Sequence, residues 1–267
     1  MLNVKRIDRS TWIVALLAIL VFVLVFEQRN TRKVHRQILN SLSMFPDKIF
    51  EMGDARIYVP NYPIDLIQSR IVDKGTFFEI DELEGLRPYI KKNAVILDIG
   101  ANIGNHTVYW AVKANARKIY SFEPIKETFK ILKKNVEIND LVDRVKIFNI
   151  GLSNEKINGS IIEYSVENTG GTSVKQDANG NLLIDKLDNI KIEEDSVDFV
   201  KIDVEGHEFQ TLQGARETLL KYKPTIFIEI LSDECKRTDN YLTSLGYRLE
   251  KKLRHRNYLY VFDEKSN

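Results

Sequence analysis

Cysteine is nearly missing from this chain of 267 residues: Cys235 is the only one. A single thiol cannot close an internal disulfide, and no cysteine cluster is present for a structural zinc site. The fold therefore needs no oxidising compartment. A charge excess of one sign is missing too. Lys and Arg number 39 against 38 Asp and Glu, a formal net charge of +1. Bulk electrostatics give no hold on a polyanion, so no nucleic-acid partner is expected. Internal repeats and low-complexity tracts are also lacking. What remains is the composition of one catalytic domain of about 200 residues with an appendage.

The appendage is N-terminal. Trp12 to Phe26 is an unbroken apolar run, preceded by Lys5, Arg6 and Arg9 and followed by Arg29, Arg32, Lys33 and Arg36. With Ser10 and Thr11 it reaches the lower limit of roughly 17 residues for a bilayer span. It is apolar on every face, unlike a surface-packed helix. Glu27-Gln-Arg-Asn-Thr31 follows it, with no small-x-small cleavage pattern of a secretory signal. The expected organisation is a tail at 1–10, a transmembrane anchor at 11–26, a juxtamembrane amphipathic linker at 27–55 and a catalytic domain at 56–267. In the linker, Val34, Ile38, Leu42 and Phe45 recur at helical spacing up to Pro46. The basic flank after the run points to a single-pass membrane protein with a cytoplasmic catalytic domain.

From Arg56 onward strands and helices alternate, the mark of an α/β domain. Strands are predicted at 56–59, 94–98, 118–122, 145–149, 197–203 and 225–230. Helices are predicted at 82–91, 104–113, 126–138, 209–220 and 239–245. Tyr247 to Leu253 and Tyr258 to Phe262 read as a closing hairpin. Residues 150–195 carry Asn158-Gly-Ser160, Asn168-Thr-Gly-Gly171 and Asn179-Gly180, which read as turns. The fold class expected is a Rossmann-like, mostly parallel seven-stranded sheet with a C-terminal antiparallel hairpin, plus the N-terminal transmembrane helix.

Three strand ends carry chemistry. Asp98-Ile-Gly100-Ala-Asn102-Ile-Gly104 stands where a strand gives way to a helix. Gly100 permits a sharp turn and a close approach to the main chain. The helix N-terminus beyond it suits a carboxylate, and Asp98 suits a cationic amine. The dinucleotide fingerprint requires a middle glycine, and Asn102 stands in its place. That argues against NAD or FAD. Glu123, about 20 residues on, ends the second strand where an acid accepts bonds from ribose hydroxyls. Its alternative reading is a solvent-facing turn residue before Pro124. Third comes Val200-Lys-Ile-Asp203-Val-Glu205-Gly-His207-Glu208, with carboxylates and an imidazole crowded at a strand exit. Imidazole is the natural proton acceptor near neutral pH. Asp203 suits a cofactor ammonium or an acceptor hydroxyl; Glu205 does the same or tunes His207. Glu208 is a candidate substrate contact, with a first-turn helix acid as its alternative. A divalent cation on Asp203, Glu205 and His207 is left open, since no spacing demands one. Glu229 closes an apolar strand, where a carboxylate is costly unless it faces a polar cleft. The polar stretch Asn168 to Ser173 belongs to the same cleft, with Ser173 as a further substrate contact.

Taken together, Ile96-Leu-Asp-Ile-Gly-Ala-Asn-Ile-Gly104, Phe122-Glu-Pro124, Asn149-Ile-Gly-Leu-Ser-Asn154, Val197-Asp-Phe-Val-Lys-Ile-Asp-Val-Glu-Gly-His-Glu208, Leu212-x-Gly214-Ala and Ile228-Glu229 resemble the FkbM family of methyltransferases. The resemblance runs from about residue 57 to 262. It implies a class I methyltransferase fold, S-adenosyl-L-methionine as donor, and transfer to a hydroxyl oxygen of a sugar or other small-molecule or glycan acceptor. Carried over by position, Asp98, Gly100, Asn102 and Gly104 would bind the methionine part and Glu123 the ribose. Ile150 to Ser153, Gly151 among them, would lie near adenine. Asp203, Glu205 and His207 would face the acceptor. An NAD-dependent oxidoreductase and a non-catalytic nucleotide-binding membrane scaffold are the rival readings. The middle-glycine substitution speaks against the first and the crowded carboxylates against the second.

Overall fold

The structure is a computed structural model that describes residues 47–163, 165, 167–230, 234–254 and 256–264. The chain divides into two units, Met1–Asp47 and Lys48–Asn267, and every described element lies in the second. The expected transmembrane helix is corrected. Among the described residues no helix is long and apolar enough to cross a membrane. The longest, Lys126–Ile138, has 13 residues and exposes Lys126, Glu127, Lys130, Lys133, Lys134 and Glu137. The anchor placed at 11–26 lies outside the described residues, as do the tail and most of the linker. The Rossmann-like fold therefore stands with no spanning helix among the described residues, and the single-pass membrane location is withdrawn.

The main sheet has seven strands in the order β12-β13-β11-β10-β3-β4-β5. In chain order these are β3 (Val95–Ile99), β4 (Lys118–Phe122), β5 (Val145–Phe148), β10 (Phe199–Ile202), β11 (Thr225–Glu229), β12 (Tyr247–Lys252) and β13 (Asn257–Phe262). The pairs among β3, β4, β5, β10 and β11 are parallel, whereas β13 runs antiparallel to β11 and β12. Every residue of β3 is buried, as a strand covered on both faces by helices should be. Its alternate residues feed two cores. Ile96 packs with Trp110 and Phe199 on one side; Val95, Leu97 and Ile99 pack with Tyr120 and Val200 on the other. From β3 the chain moves outward through β4 and β5, then returns to place β10 on the opposite edge of β3. This reversal is the topological switch point, where ligands bind beyond the strand ends.

Helices α1 (Leu66–Lys74), α2 (Ile80–Leu86), α3 (Asn105–Val112), α4 (Lys126–Ile138), α5 (Glu208–Gly214), α6 (Arg216–Tyr222) and α7 (Cys235–Ser244) complete the layers. Asp65 caps α1 by accepting from the Gln68 amide, and Gly75 ends it in the left-handed region. The hairpin β1 (Ile49–Met52) and β2 (Ala55–Tyr58) is tied to α4. Asn135 accepts from the Tyr58 amide at 2.6 Å and donates to the Ile103 carbonyl at 2.7 Å.

Strand β1 and helix α1 fall where the sequence reading placed neither, and two further regions differ from it. Residues 150–195 are not mainly turns. They build a four-stranded sheet in the order β6-β9-β7-β8, from β6 (Gly151–Leu152), β7 (Ile157–Glu163), β8 (Ser173–Gln176) and β9 (Leu182–Asp185). The Asn158-Gly-Ser160 triplet lies inside β7. A Cβ on Gly159 would sit 2.5 Å from Ile184 Cδ1 and 3.0 Å from the Lys175 carbonyl oxygen. Glycine is there because strands meet closely, not because the chain turns. The helix expected at 209–220 is broken at Ala215. Asp188 accepts from the Glu217 and Thr218 amides at 3.0 and 2.8 Å, so it caps α6 from a distant loop and starts a new helix.

Gly214 closes α5 against β6: a Cβ there would lie 1.9 Å from the Ser153 carbonyl oxygen. Gly214→Ala should therefore force two backbones apart, at a cost of about 1–3 kcal/mol. A thermal melt is expected to fall by several degrees; an unchanged Tm would refute this packing.

Candidate active site

The glycine loop is held from three directions. Gly100, Asn102 and Gly104 have φ values of 76°, 50° and 86°. A Cβ on Gly100 would fall 1.7 Å from the Asp203 carbonyl oxygen, so glycine is required by both torsion and space. The Gly100 and Ala101 amides donate to the Phe122 carbonyl at 3.0 and 2.9 Å. Glu123 supplies the third tie. Its carboxylate accepts from the Asn102 amide at 2.9 Å and the Ile125 amide at 2.8 Å. Burial pushes its pKa up to about 7, against the pull of those two donors. Each carboxylate oxygen has two lone pairs, so these bonds leave acceptor capacity for a ligand hydroxyl.

Beneath the loop lies a residue to which the sequence reading gave no role. Lys201 is 2% exposed. Its ammonium donates to the Gly100 carbonyl at 2.5 Å and sits 3.5 Å from both Asp98 and Asp203. Burial works against its charge, but Asp203 and Asp98 outweigh burial and raise its pKa. The signal was present: a lysine inside the apolar strand Phe199-Val-Lys-Ile202 is affordable only if paired.

One cavity of about 240 Å³ opens above this loop, at the switch point. Its wall includes Gly100, Asn102, Glu123, Gly151, Lys201, Asp203, Glu205, His207 and Glu229. All of these but Lys201 are sequence candidates, and they converge on one space. Gly104 lies at the mouth of α3, where a Cβ would meet Leu132 Cδ1 at 2.6 Å rather than the cavity. Asp98, Glu208 and Ser173 are not on the wall. Asp98 is fully buried, accepts from Thr107 Oγ1 at 2.6 Å and faces Lys201. The cation expected beside it is thus a lysine of the chain itself. Glu208 is 1% exposed and accepts from the Gly206 amide at 2.9 Å, closing the turn before α5.

At the far end stand Asp203, Glu205, His207 and Glu229. Burial, reinforced by Asp203 and Glu208, pushes Glu205 up to about 7. Glu229 rises to about 7 by burial and by Asp203 and Glu205, although Arg256 lies 3.5 Å away. His207 precedes α5. Its Nδ1 is 3.4 Å from the Gly206 carbonyl, and its buried Nε2 has no hydrogen-bond partner. His106 and Glu79, 3.4 Å apart, join the same wall; the sequence gave no motif for either. Among the described residues no group of three His, Cys, Asp or Glu side chains is arranged to hold a metal ion.

A parallel sheet closed by a reversed hairpin, with a ligand cavity over its glycine loop, defines the Rossmann-like methyltransferase class. The chain belongs to the methyltransferase FkbM family, whose domain model matches residues 98–249. It is similar to methyltransferase sdnD of Sordaria araneosa, 25% identical over 194 residues, covering 58% of this chain and 72% of that protein. It is also similar to hexuronic acid methyltransferase AglP of Haloferax volcanii, 31% identical over 147 residues, covering 53% of this chain and 58% of that one. The crystal structure of a methyltransferase FkbM from Methylobacillus flagellatus has a TM-score of 0.46 and 18% identity, covering 73% of this chain and 54% of that chain. The chain thus spans a little over half the length of AglP and of the solved methyltransferase.

The raised carboxylates have a consequence for stability. Glu82, Glu123, Glu205 and Glu229 hold their protons up to about pH 7, burial being the largest cause for each. In the unfolded chain glutamate titrates near roughly 4.3. Between these limits the folded chain binds more protons, so stability falls as pH rises. Melting in buffers from pH 5.5 to 8 should show Tm decreasing toward the alkaline side. Glu229→Gln should reduce that slope; identical slopes would contradict the assignment.

Proposed function

We propose that the chain transfers the methyl group of S-adenosyl-L-methionine to a hydroxyl oxygen of a sugar-like small molecule or glycan. The observation that carries this reading is the convergence, in one cavity, of the glycine loop, Glu123 and the group Asp203, Glu205, His207 and Glu229. The donor fits the residues present. The first-turn amides of α3 have no preceding helical turn to bond to and suit its carboxylate. Glu123 suits the ribose hydroxyls, and the apolar wall of Ile125, Ile150, Leu152 and Val174 suits a flat adenine. Asp98 is already matched by Lys201, so the donor's ammonium falls to Asp203 or to main-chain carbonyls. Bound there, S-adenosyl-L-methionine would supply an electrophilic methyl on a sulfonium sulfur.

The chain's own part is to align the acceptor and remove its proton. His207 Nε2, free of other partners, accepts the hydroxyl proton as the oxygen takes the methyl. The sulfonium donor, when bound, would give up that methyl with the carbon–sulfur electron pair kept on sulfur and would leave as a neutral thioether. Glu205 and Asp203 stand on the same wall as the imidazole, and Glu229 orients the sugar hydroxyls. Holding donor and acceptor in line provides much of the acceleration. The sugar class draws support from AglP, which by name is a hexuronic acid methyltransferase.

Titration calorimetry should detect S-adenosylhomocysteine binding and no NAD binding. A chain that ignores the homocysteine compound would end this reading. His207→Ala should lower turnover on order of 100-fold while donor affinity stays near that of the parent, whereas full turnover removes His207 from the role of base. Glu123→Ala should weaken donor binding about tenfold or more; unchanged affinity would dismiss the ribose assignment.

A further inference from the structure

Asp65 takes no part in the chemistry above, yet its side chain is fully buried. One carboxylate oxygen caps α1, accepting from the Gln68 amide at 2.9 Å. The other reaches a segment 104 residues away. It accepts from the Thr169 amide at 3.0 Å and from Thr169 Oγ1 at 2.7 Å. Alongside, the Leu66 amide donates to the Glu167 carbonyl at 2.8 Å. A carboxylate alone in a protein interior is costly, and three donors are what make it tolerable. Capping α1 needs one of them; a serine would do as much. The two donors from Thr169 require another explanation.

The two segments that Asp65 joins both line the donor cavity: Leu66 and Ile67 from the start of α1, and Asn168 to Thr172 around the 3-10 turn Thr169–Gly171. They meet at Gly170. A Cβ there would lie 2.7 Å from Ile67 Cδ1 and 3.2 Å from Asn102 Nδ2. The joined pair therefore packs beside the Asn102 side chain of the glycine loop.

From this geometry we infer that Asp65 is a positioning residue that clamps the roof of the donor cavity and sets how fast donor and spent donor leave. The inference rests on the proposed donor reading. Asp65 is not on the cavity wall, and the amide and hydroxyl of Thr169 are engaged by Asp65; the pair acts by holding Leu66, Ile67 and Gly170 in place. Charge-assisted bonds to a buried carboxylate are among the stronger polar contacts in a fold, so the roof opens seldom while both Thr169 donors are engaged.

The test uses the full chain and S-adenosylhomocysteine as probe. Thr169→Val keeps the branched shape and the amide bond but removes the hydroxyl donor. Its dissociation rate for the probe should rise about tenfold, with Tm within a few degrees of the parent. Thr169→Ser should restore the slow rate. Asp65→Asn should also speed release, and adding Thr169→Val to it should have less than the product of the two effects. Without ligand, amide hydrogen exchange at 167–172 should quicken in Thr169→Val and Asp65→Asn while exchange in β3 and β10 stays unchanged. A merely structural role would lower Tm without this selective pattern. Release rates within twofold of the parent in both variants, with the parent binding normally, overturn the clamp and leave the donor reading intact. A parent chain that does not bind the probe overturns both.

Discussion

The buried ammonium of Lys201 is the constraint around which the ligand-binding end of the sheet is organised. At 3.5 Å from Asp98 and from Asp203, each pair is worth about 5 kcal/mol at an effective dielectric near 20. Taking a single ion from water costs several kcal/mol. The two attractions thus offset the burial of the lysine and its fully buried partner without leaving a large surplus. What the cluster contributes is definition. The ammonium also holds the Gly100 carbonyl at 2.5 Å, so the loop at the end of β3 and the exit of β10 are fixed to one point. Removing either carboxylate would still leave the ammonium one partner, whereas removing the lysine would leave the fully buried Asp98 without its cation.

Glu123 does for the next strand what Lys201 does for the first two. Its carboxylate bridges the Asn102 and Ile125 amides, so the middle position of the glycine loop is occupied from below by the chain's own anion. This is the structural counterpart of the missing middle glycine. A loop that receives a pyrophosphate must leave its amides open toward the ligand, whereas this loop has turned one of them inward. The cavity that results carries four carboxyl groups on its wall, Glu123, Asp203, Glu205 and Glu229. Such a space suits a donor carrying a sulfonium and an ammonium better than a dinucleotide with two phosphates.

Much of the sheet was legible because a doubly covered strand needs a continuous apolar run, and Val95 to Leu97 and Ile226 to Ile228 have one. The loop and Glu123 were legible because torsion and strand ends limit what can stand there. The direction in which Asp98 points was not. It depends on β3 lying beside β10 in a register that sets Lys201 opposite Asp98, a pairing between residues more than a hundred positions apart. Glu208 was ambiguous for a similar reason: whether an acid turns to the cavity or to the Gly206 amide is settled by how the Glu205–Gly206 turn closes. The β6–β9 sheet was hidden by its own packing. Gly159 reads as a turn in the sequence and serves as a strand contact in space. The helix α1 had readable signals at both ends, Asp65 and Gly75, but little periodicity between them. The apolar run at 12–26 shows the opposite limit, since hydrophobicity alone gave it a role that no described helix shares.

The contact at Gly214 has one further implication. Thr211 Oγ1 donates to the Leu152 carbonyl at 2.9 Å, and Gly214 abuts the main chain of Ser153. The helix that begins just after His207 is thereby laid on the strand that carries the Gly151 wall. Sheet insert and helix form a single mechanical piece with the Gly151 wall at one end and the His207 imidazole at the other. Lengthening or recutting the 150–195 segment would shift His207 as well as the wall, so this insert can diversify only in ways that keep its first strand where it is.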